Sequence, residues 1–246
     1  MDRLNVDAYL HRIGARRGDS LAALHEAHVR SVPFEDYDIH LGIPIDLRLD
    51  ALQDKIVRRR RGGFCYELNG LFAAMLRELG HDVTLVSAFA LGPDRTPQAD
   101  FEHACLLVDD AWIADVGNGA GWLHPVPLAP GVSVNGGAEV EIGRDGDLWW
   151  SRERRPGREW EDGWAWRPTP RRLEEFLPRC RYQEHDPGSH FVARRLAVLT
   201  VPGGRLALVN GLLSETGRPD RELEPAQERT VLAERFGLTL PDRPWR

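Results

Sequence analysis

Cysteine is scarce in this chain of 246 residues, and the three present, Cys65, Cys105 and Cys180, lie far apart without a CxxC pair. That spacing excludes a disulfide framework and argues against a structural zinc site, so no metal is expected and a reducing cytoplasm is the expected location. Long apolar runs are missing too: nothing approaches the roughly 20 residues of a membrane-spanning helix. The start, MDRLNVDAYLHRIGARRG, is polar and charged and carries no apolar signal-peptide core. A basic excess is also absent. Against 32 Lys and Arg stand 38 Asp and Glu, a formal net charge of -6, which argues against nucleic acid as a partner. Neither a membrane nor a nucleic acid is expected to bind.

What the chain does have is an ordinary globular composition, 42% hydrophobic and 28% charged, long enough for one large domain or several small packed ones. The first third reads as helical. Asn5 and Ser20 are N-cap residues for helices over 5–10 and 20–30, and Asp50 for a third that ends in the basic run 58–61 before Gly62-Gly63. A fourth starts at Cys65, with Leu68, Leu71, Phe72, Met75, Leu76 and Leu79 at helical spacing and Gly80 as its stop. From His81 the texture becomes β-rich, with short runs at 83–90, 103–108, 111–116, 148–151 and 164–167 separated by Gly, Pro and Asp. The last third mixes a helix over about 170–179, a hairpin turning at Pro202-Gly203-Gly204 and a final helix ending before Gly237. Helices, then strands, then a mixed segment predict an α+β protein.

The segment from Arg61 to Asn69, RGGFCYELN, carries the chemistry. Two glycines deliver Cys65 to the first turn of a long helix, where unsatisfied N–H groups and the positive end of the dipole favour a thiolate. A thiolate nucleophile needs a base and an orienting partner. His103 and Asp115 fit those roles, at the ends of a hairpin that turns at Asp109-Asp110. A three-residue loop centred on Asp109 would set 103 opposite 115 on one face; a two-residue loop would pair 103 with 116 and turn Asp115 away. The spacing alone leaves both registers open. Other features read as structural. His25-Glu26-Ala27-His28 has i, i+3 histidines, not the HExxH spacing, and reads as a solvated or partly packed helix face. Trp149, Trp150, Trp164 and Trp166 read as packing, and Cys105 as an inert strand residue.

RGGFCYELN resembles the RGGxCxELN signature of the arylamine N-acetyltransferases. Val32-Pro33-Phe34-Glu35-Asp36 resembles that family's PFEN element, Phe101-Glu102-His103 its histidine segment, and Ala114-Asp115-Val116-Gly117-Asn118-Gly119 its DVGFG loop. The resemblance implies an N-terminal helical bundle (1–80) carrying the nucleophile, a central β-barrel (81–168) carrying His and Asp, and a C-terminal α/β lid (169–246), around a core like that of cysteine proteases and transglutaminases. It implies Cys65, His103 and Asp115 as the catalytic triad. Phe34, Phe64, Gly117, Asn118 and Gly119 become the expected substrate-binding residues, and Glu35 with Arg61 a supporting ion pair behind the nucleophile. The implied reaction moves an acetyl group from acetyl-CoA, a co-substrate and not a resident cofactor, through a cysteine thioester to a small aromatic amine. The Gly117–Gly121 stretch is expected as a turn beside the coenzyme A pyrophosphate. Two departures bear on substrates: Asn118 stands where the family has Phe, and the acidic Gln183-Glu184-His185-Asp186 replaces a Ser/Thr-rich stretch. They suggest an alternative, amide synthesis with an acyl group taken from an acyl carrier protein.

Overall fold

The computed structural model describes residues 4–119 and 121–245. Helix α1 (Val6–Ile13) is capped by the Asn5 side chain, which accepts from the Ala8 N–H, and α2 (Leu21–Ser31) by Ser20 in the same way. Helix α3 (Tyr37–Leu41) follows. The third expected helix differs from its prediction. Arg48 occupies the N-cap position of α4 (Leu49–Leu52), Asp50 lies inside the first turn, and the chain runs on as a π-helix, Gln53–Arg58. That wider turn accompanies a fully buried, inward-pointing Lys55. Helix α5 (Cys65–Glu78) is the axis of the core: Leu68, Leu71, Phe72, Met75 and Leu76 are all wholly buried. Each such side chain contributes about 1.5–3 kcal/mol relative to exposure.

The strands form two antiparallel sheets. β1 (Phe34–Glu35) belongs to the later one. The first contains β2 (Val83–Phe89), β3 (His103–Val108), β4 (Trp112–Ala114), β5 (Val126–Pro127), β6 (Gly131–Asn135), β7 (Ala138–Asp145), β8 (Leu148–Arg154) and β9 (Glu161–Pro170), in the order β5-β4-β3-β2-β9-β8-β7-β6. Its two edge strands, β5 and β6, lie against each other, so the sheet nearly closes into a barrel. Along β3 the side chains alternate: Ala104, Leu106 and Val108 pack toward the helices, while Cys105 and Leu107 join Val86, Trp149 and Trp166 inside the barrel. The β6–β7 hairpin falls where loops were expected.

The β3–β4 register is neither of the two considered. Leu106 faces Ala114 and Val108 faces Trp112, so the loop is three residues, 109–111, centred on Asp110. Asp109 and Asp110 both take left-handed backbone angles, φ 54° and 51°. Continued, this register sets Cys105 opposite position 115. His103 and Asp115 are then diagonal neighbours on one face, still within reach.

The last part also corrects an expected helix. Pro170 ends strand β9, paired with Val86, and the helical segment starts later, as a 3-10 turn Leu173–Phe176 that leads into α6 (Leu177–His185). Then come α7 (His190–Ala193), β10 (Leu196–Val201), β11 (Gly204–Val209), β12 (Leu212–Glu215), β13 (Arg221–Glu222) and α8 (Pro225–Phe236), which stops at Gly237. The second sheet has the order β1-β10-β11-β12-β13. Phe34 in β1 pairs with Val198 of β10 and bridges Gly63 on its other side. One short strand thus stitches the loop before Cys65 to the C-terminal sheet. Among the described residues no helix is long and apolar enough to cross a membrane.

Candidate active site

Cys65 opens α5, and the glycines before it are required by crowding. A Cβ on Gly62 would lie 2.0 Å from the Pro33 carbonyl oxygen, and one on Gly63 2.8 Å from Glu67 Oε2. Behind this loop sits a buried cluster of two cations and three carboxylates. Arg61 grips Glu35 with two donors (2.9 and 3.0 Å) and lies 2.9 Å from Asp38. Lys55 joins Asp38 (2.8 Å) to Glu67 (2.7 Å), and Glu67 accepts the N–H of Phe64 at 3.1 Å, the residue before the cysteine. Burial opposes the charge of Lys55, but Glu67 and Asp38 outweigh it and hold its pKa above the ordinary range. Burial, opposed by Lys55, pushes Glu67 up to about 7. Three acids share two cations, and burial makes the charged form of Glu67 the costly one.

On the other side of the helix start, His103 and Asp115 meet. His103 Nε2–H donates to Asp115 Oδ2 at 2.6 Å, with both side chains buried. The other Asp115 oxygen accepts from the Gly117 N–H (3.0 Å) and from Asn69 Nδ2 (2.8 Å). Asn69 lies one helical turn after Cys65, so it shares its face. It also donates to the Ala104 carbonyl (2.7 Å) and accepts the Val116 N–H (3.0 Å), fixing α5, β3 and the Asp115 turn to one another. Gly117 has no space for a side chain: its Cβ would sit 2.7 Å from the Cα of Cys65.

The thiol itself does not follow the helix-end expectation. Burial first, and then the Asp115 carboxylate, push the Cys65 thiol well above its ordinary value, while the N–H groups of Tyr66 and Ala104 pull the other way. Desolvation of a fully enclosed sulfur outweighs the dipole of one helix. The Ala104 N–H contact also sets Cys65 beside the residue that follows His103.

Trp164 and His25, both read as structural from the sequence, stand against the site. The Trp164 indole stacks on the His103 ring, with centroids 4.6 Å apart and planes at 5°, and its Nε1–H donates to Asn118 Oδ1 at 3.3 Å. Asn118 therefore anchors the ring that covers the histidine. His25 and His28, expected on a solvated or partly packed face, are packed completely: both are wholly buried. His28 Nδ1 pairs with the Tyr9 hydroxyl (2.7 Å), and His25 Nε2 accepts the N–H of Asp115 (3.2 Å). No local signal announces these partners, which are 19 to 90 positions away along the chain.

Phe34, Asn118 and Gly119 line a small cleft together with Asp115, Val116, Trp122 and Val198. Phe64 does not reach it: the ring is enclosed, edge-on to Tyr66 and Phe191. Ala120, within the expected pyrophosphate turn, lies outside the described residues. Through Gly121 and Thr200 the small cleft adjoins one of about 510 Å³ whose wall carries Arg30, Arg155 and Arg205. The acidic stretch 183–186 lines neither. Glu184 is buried and accepts the Ile45 N–H at 2.7 Å. Among the described residues no group of three or more His, Cys, Asp or Glu side chains is arranged to hold a metal ion.

A helix-borne cysteine, a barrel-borne His–Asp pair and a C-terminal sheet tied to the cysteine loop through β1 thus meet at one place in an α+β fold. The N-acetyltransferase family model matches residues 19–245. The arylamine N-acetyltransferase of Mycolicibacterium smegmatis is 34% identical over 261 residues, covering 97% of this chain and 94% of that protein. A solved structure of the M. smegmatis arylamine N-acetyltransferase superposes with a TM-score of 0.88 at 32% identity, covering 98% and 95% of the two chains. The Mycobacterium marinum arylamine N-acetyltransferase, solved in complex with CoA, gives 0.85 at 29% identity, over 95% and 92%. The chain belongs to the arylamine N-acetyltransferase family.

Proposed function

We propose that this enzyme transfers an acetyl group from acetyl-CoA to the nitrogen of an aromatic amine, through a thioester on Cys65. The observation that carries this reading is the His103–Asp115 pair, locked by Asn69 and Gly117 against the start of the cysteine helix. With Nε2–H given to Asp115, His103 keeps Nδ1 free to accept a proton. It takes the thiol proton of Cys65 as the sulfur attacks the thioester carbonyl of the donor. The old carbon–sulfur bond breaks, and the coenzyme A thiolate leaves with that proton. An amine nitrogen then attacks the Cys65 thioester, the amide forms, and His103 relays the amine proton back to the cysteine sulfur. Because burial disfavours a lone thiolate at Cys65, the reaction depends on this transfer to His103 and not on the helix dipole alone.

Arg30, Arg155 (paired with Glu153) and Arg205 line the cleft that adjoins the one bearing Asp115, and would meet the phosphates of a coenzyme A donor there. Phe34, Asn118 and Gly119 line the acceptor end, Gly117 seats the cysteine backbone, and Glu35 and Arg61 hold the loop behind it. On this reading residues 1–80 carry the nucleophile, 81–168 the base and its carboxylate, and 169–246 the cover. Three free cysteines fit a cytoplasmic site of action. Of the acidic stretch, Glu184 is buried against the Ile45 N–H while Asp186 is only partly covered, and neither lines the two clefts. Steady-state kinetics test the proposal: varying acetyl-CoA against an aminobenzoate should give the parallel double-reciprocal lines of a substituted-enzyme mechanism. Intersecting lines would point to direct transfer without a thioester.

A further inference from the structure

We propose that His25 is a positioning residue of this active site, acting as a neutral imidazole that fixes the backbone under Asp115. This rests on the Cys65–His103–Asp115 reading. Both ring nitrogens of His25 have defined partners. Nδ1 lies 3.0 Å from the Leu123 carbonyl oxygen, which can only accept, so Nδ1 carries the proton. Nε2 lies 3.2 Å from the backbone N of Asp115, whose N–H can only donate, so Nε2 must be bare. The geometry therefore permits one tautomer, and it is uncharged. A protonated ring would aim a second N–H at the Asp115 N–H and break that contact.

The ring is wholly enclosed and stands edge-on to Phe72 of α5, with centroids 6.0 Å apart. It is therefore fixed from the same helix that presents Cys65. Its second partner, Leu123, is itself held: the Leu123 and His124 N–H groups both donate to Asn135 Oδ1, at 2.7 and 3.1 Å. Leu123 and Asn135 line the basic cleft. His25 is thus a crosspiece between the turn bearing the triad carboxylate and the wall of that cleft. The titratable groups facing it are Asp115, His124 and, along α2, His28.

A misplacement of about 1 Å at a reacting group can cost on the order of 100-fold in rate, and that sets the scale of the test. His25→Gln keeps an acceptor near the Nε2 position, whereas His25→Phe keeps the volume and the contact with Phe72 but offers no acceptor. The single-turnover rate of Cys65 acetylation by acetyl-CoA should stay within about 5-fold of wild type in His25→Gln and fall roughly 30- to 100-fold in His25→Phe, with little change in the apparent donor affinity. Equal rates in the two variants would overturn the proposal and leave His25 as core filling. A readout independent of the variants' folding is the ring nitrogen spectrum of the 15N-histidine-labelled wild type. The His25 signals, told from those of buried His28 by their loss in His25→Gln, should be those of a neutral, Nδ1-protonated ring through mildly acidic pH; an Nε2-protonated or charged His25 would also overturn it. Cys65→Ser separates this from the parent reading, since full activity there would remove the triad whatever His25 does.

Discussion

Replacing Glu35 with Gln perturbs the buried charges behind the nucleophile in a calculable way. Both Glu35 oxygens accept: Oε1 from Arg61 Nε, and Oε2 from Arg61 Nη2 and from the Tyr37 N–H. Whichever way a Gln amide turns, its NH₂ faces a donor. Breaking a buried ion pair from one side costs about 3–5 kcal/mol. For a chain of this length that corresponds to a melting-temperature drop of roughly 6–20 °C. The loss should also depend on pH. With Glu67 raised to about 7, the wild-type cluster is balanced at pH 5.5, with two cations and two ionised acids. At pH 8 it carries one surplus negative charge. Removing Glu35 unbalances the acidic state and balances the alkaline one. The destabilisation of Glu35→Gln relative to wild type should therefore be larger at pH 5.5 than at pH 8. Thermal unfolding followed by circular dichroism at both pH values measures it. A drop below about 2 °C at both, or a larger drop at pH 8, would refute the reasoning.

Gly117→Ala, with its Cβ driven to 2.7 Å from the Cys65 Cα, should lower kcat/KM by about 100-fold; activity near wild type would mean the turn yields freely. Asn118→Phe frees the Trp164 indole from its anchor, so the single-turnover acetylation of Cys65 should slow as well as the acceptor step. An unchanged acylation rate would show that the stack on His103 does not depend on Asn118. His25, pushed down to about 4 by burial, binds fewer protons folded than unfolded between that value and the ordinary 6.5. Stability should accordingly fall as pH drops through this window, by roughly 3 kcal/mol at its lower end. The melting temperature of His25→Phe should fall less steeply than that of wild type over the same range, and an identical slope would contradict this.

The parts of the fold legible in the sequence are those whose signal is local. Helix α5 carries five apolar residues at helical spacing, with Leu79 as its C-cap and Gly80 just beyond, and the hairpin β10–β11 turns at Pro202-Gly203. In the β6–β7 hairpin Val132 and Val134 are exposed while Asn135 is buried, so its polar–apolar pattern does not announce an inward face. The π-helix at Gln53–Arg58 is set by where Lys55 must point, toward Asp38 and Glu67, and that is tertiary information. The same holds for the site. Cys65, His103 and Asp115 stand in recognisable motifs, but His25 reaches Asp115 across 90 residues and Trp164 covers His103 across 61. The side of a hairpin on which a residue falls depends on a one-residue choice of loop centre. That choice was made by two left-handed aspartates at 109 and 110. Their tolerance of positive φ is general to Asp and does not specify a register.

Intact-mass analysis of the enzyme after brief exposure to acetyl-CoA alone, followed by peptide mapping, tests the central claim most directly. The account predicts a gain of one acetyl group, located on the peptide that carries Cys65, absent in Cys65→Ser and discharged on adding an aromatic amine. Continued acetylation of the amine with no acetyl ever found on Cys65 would contradict it.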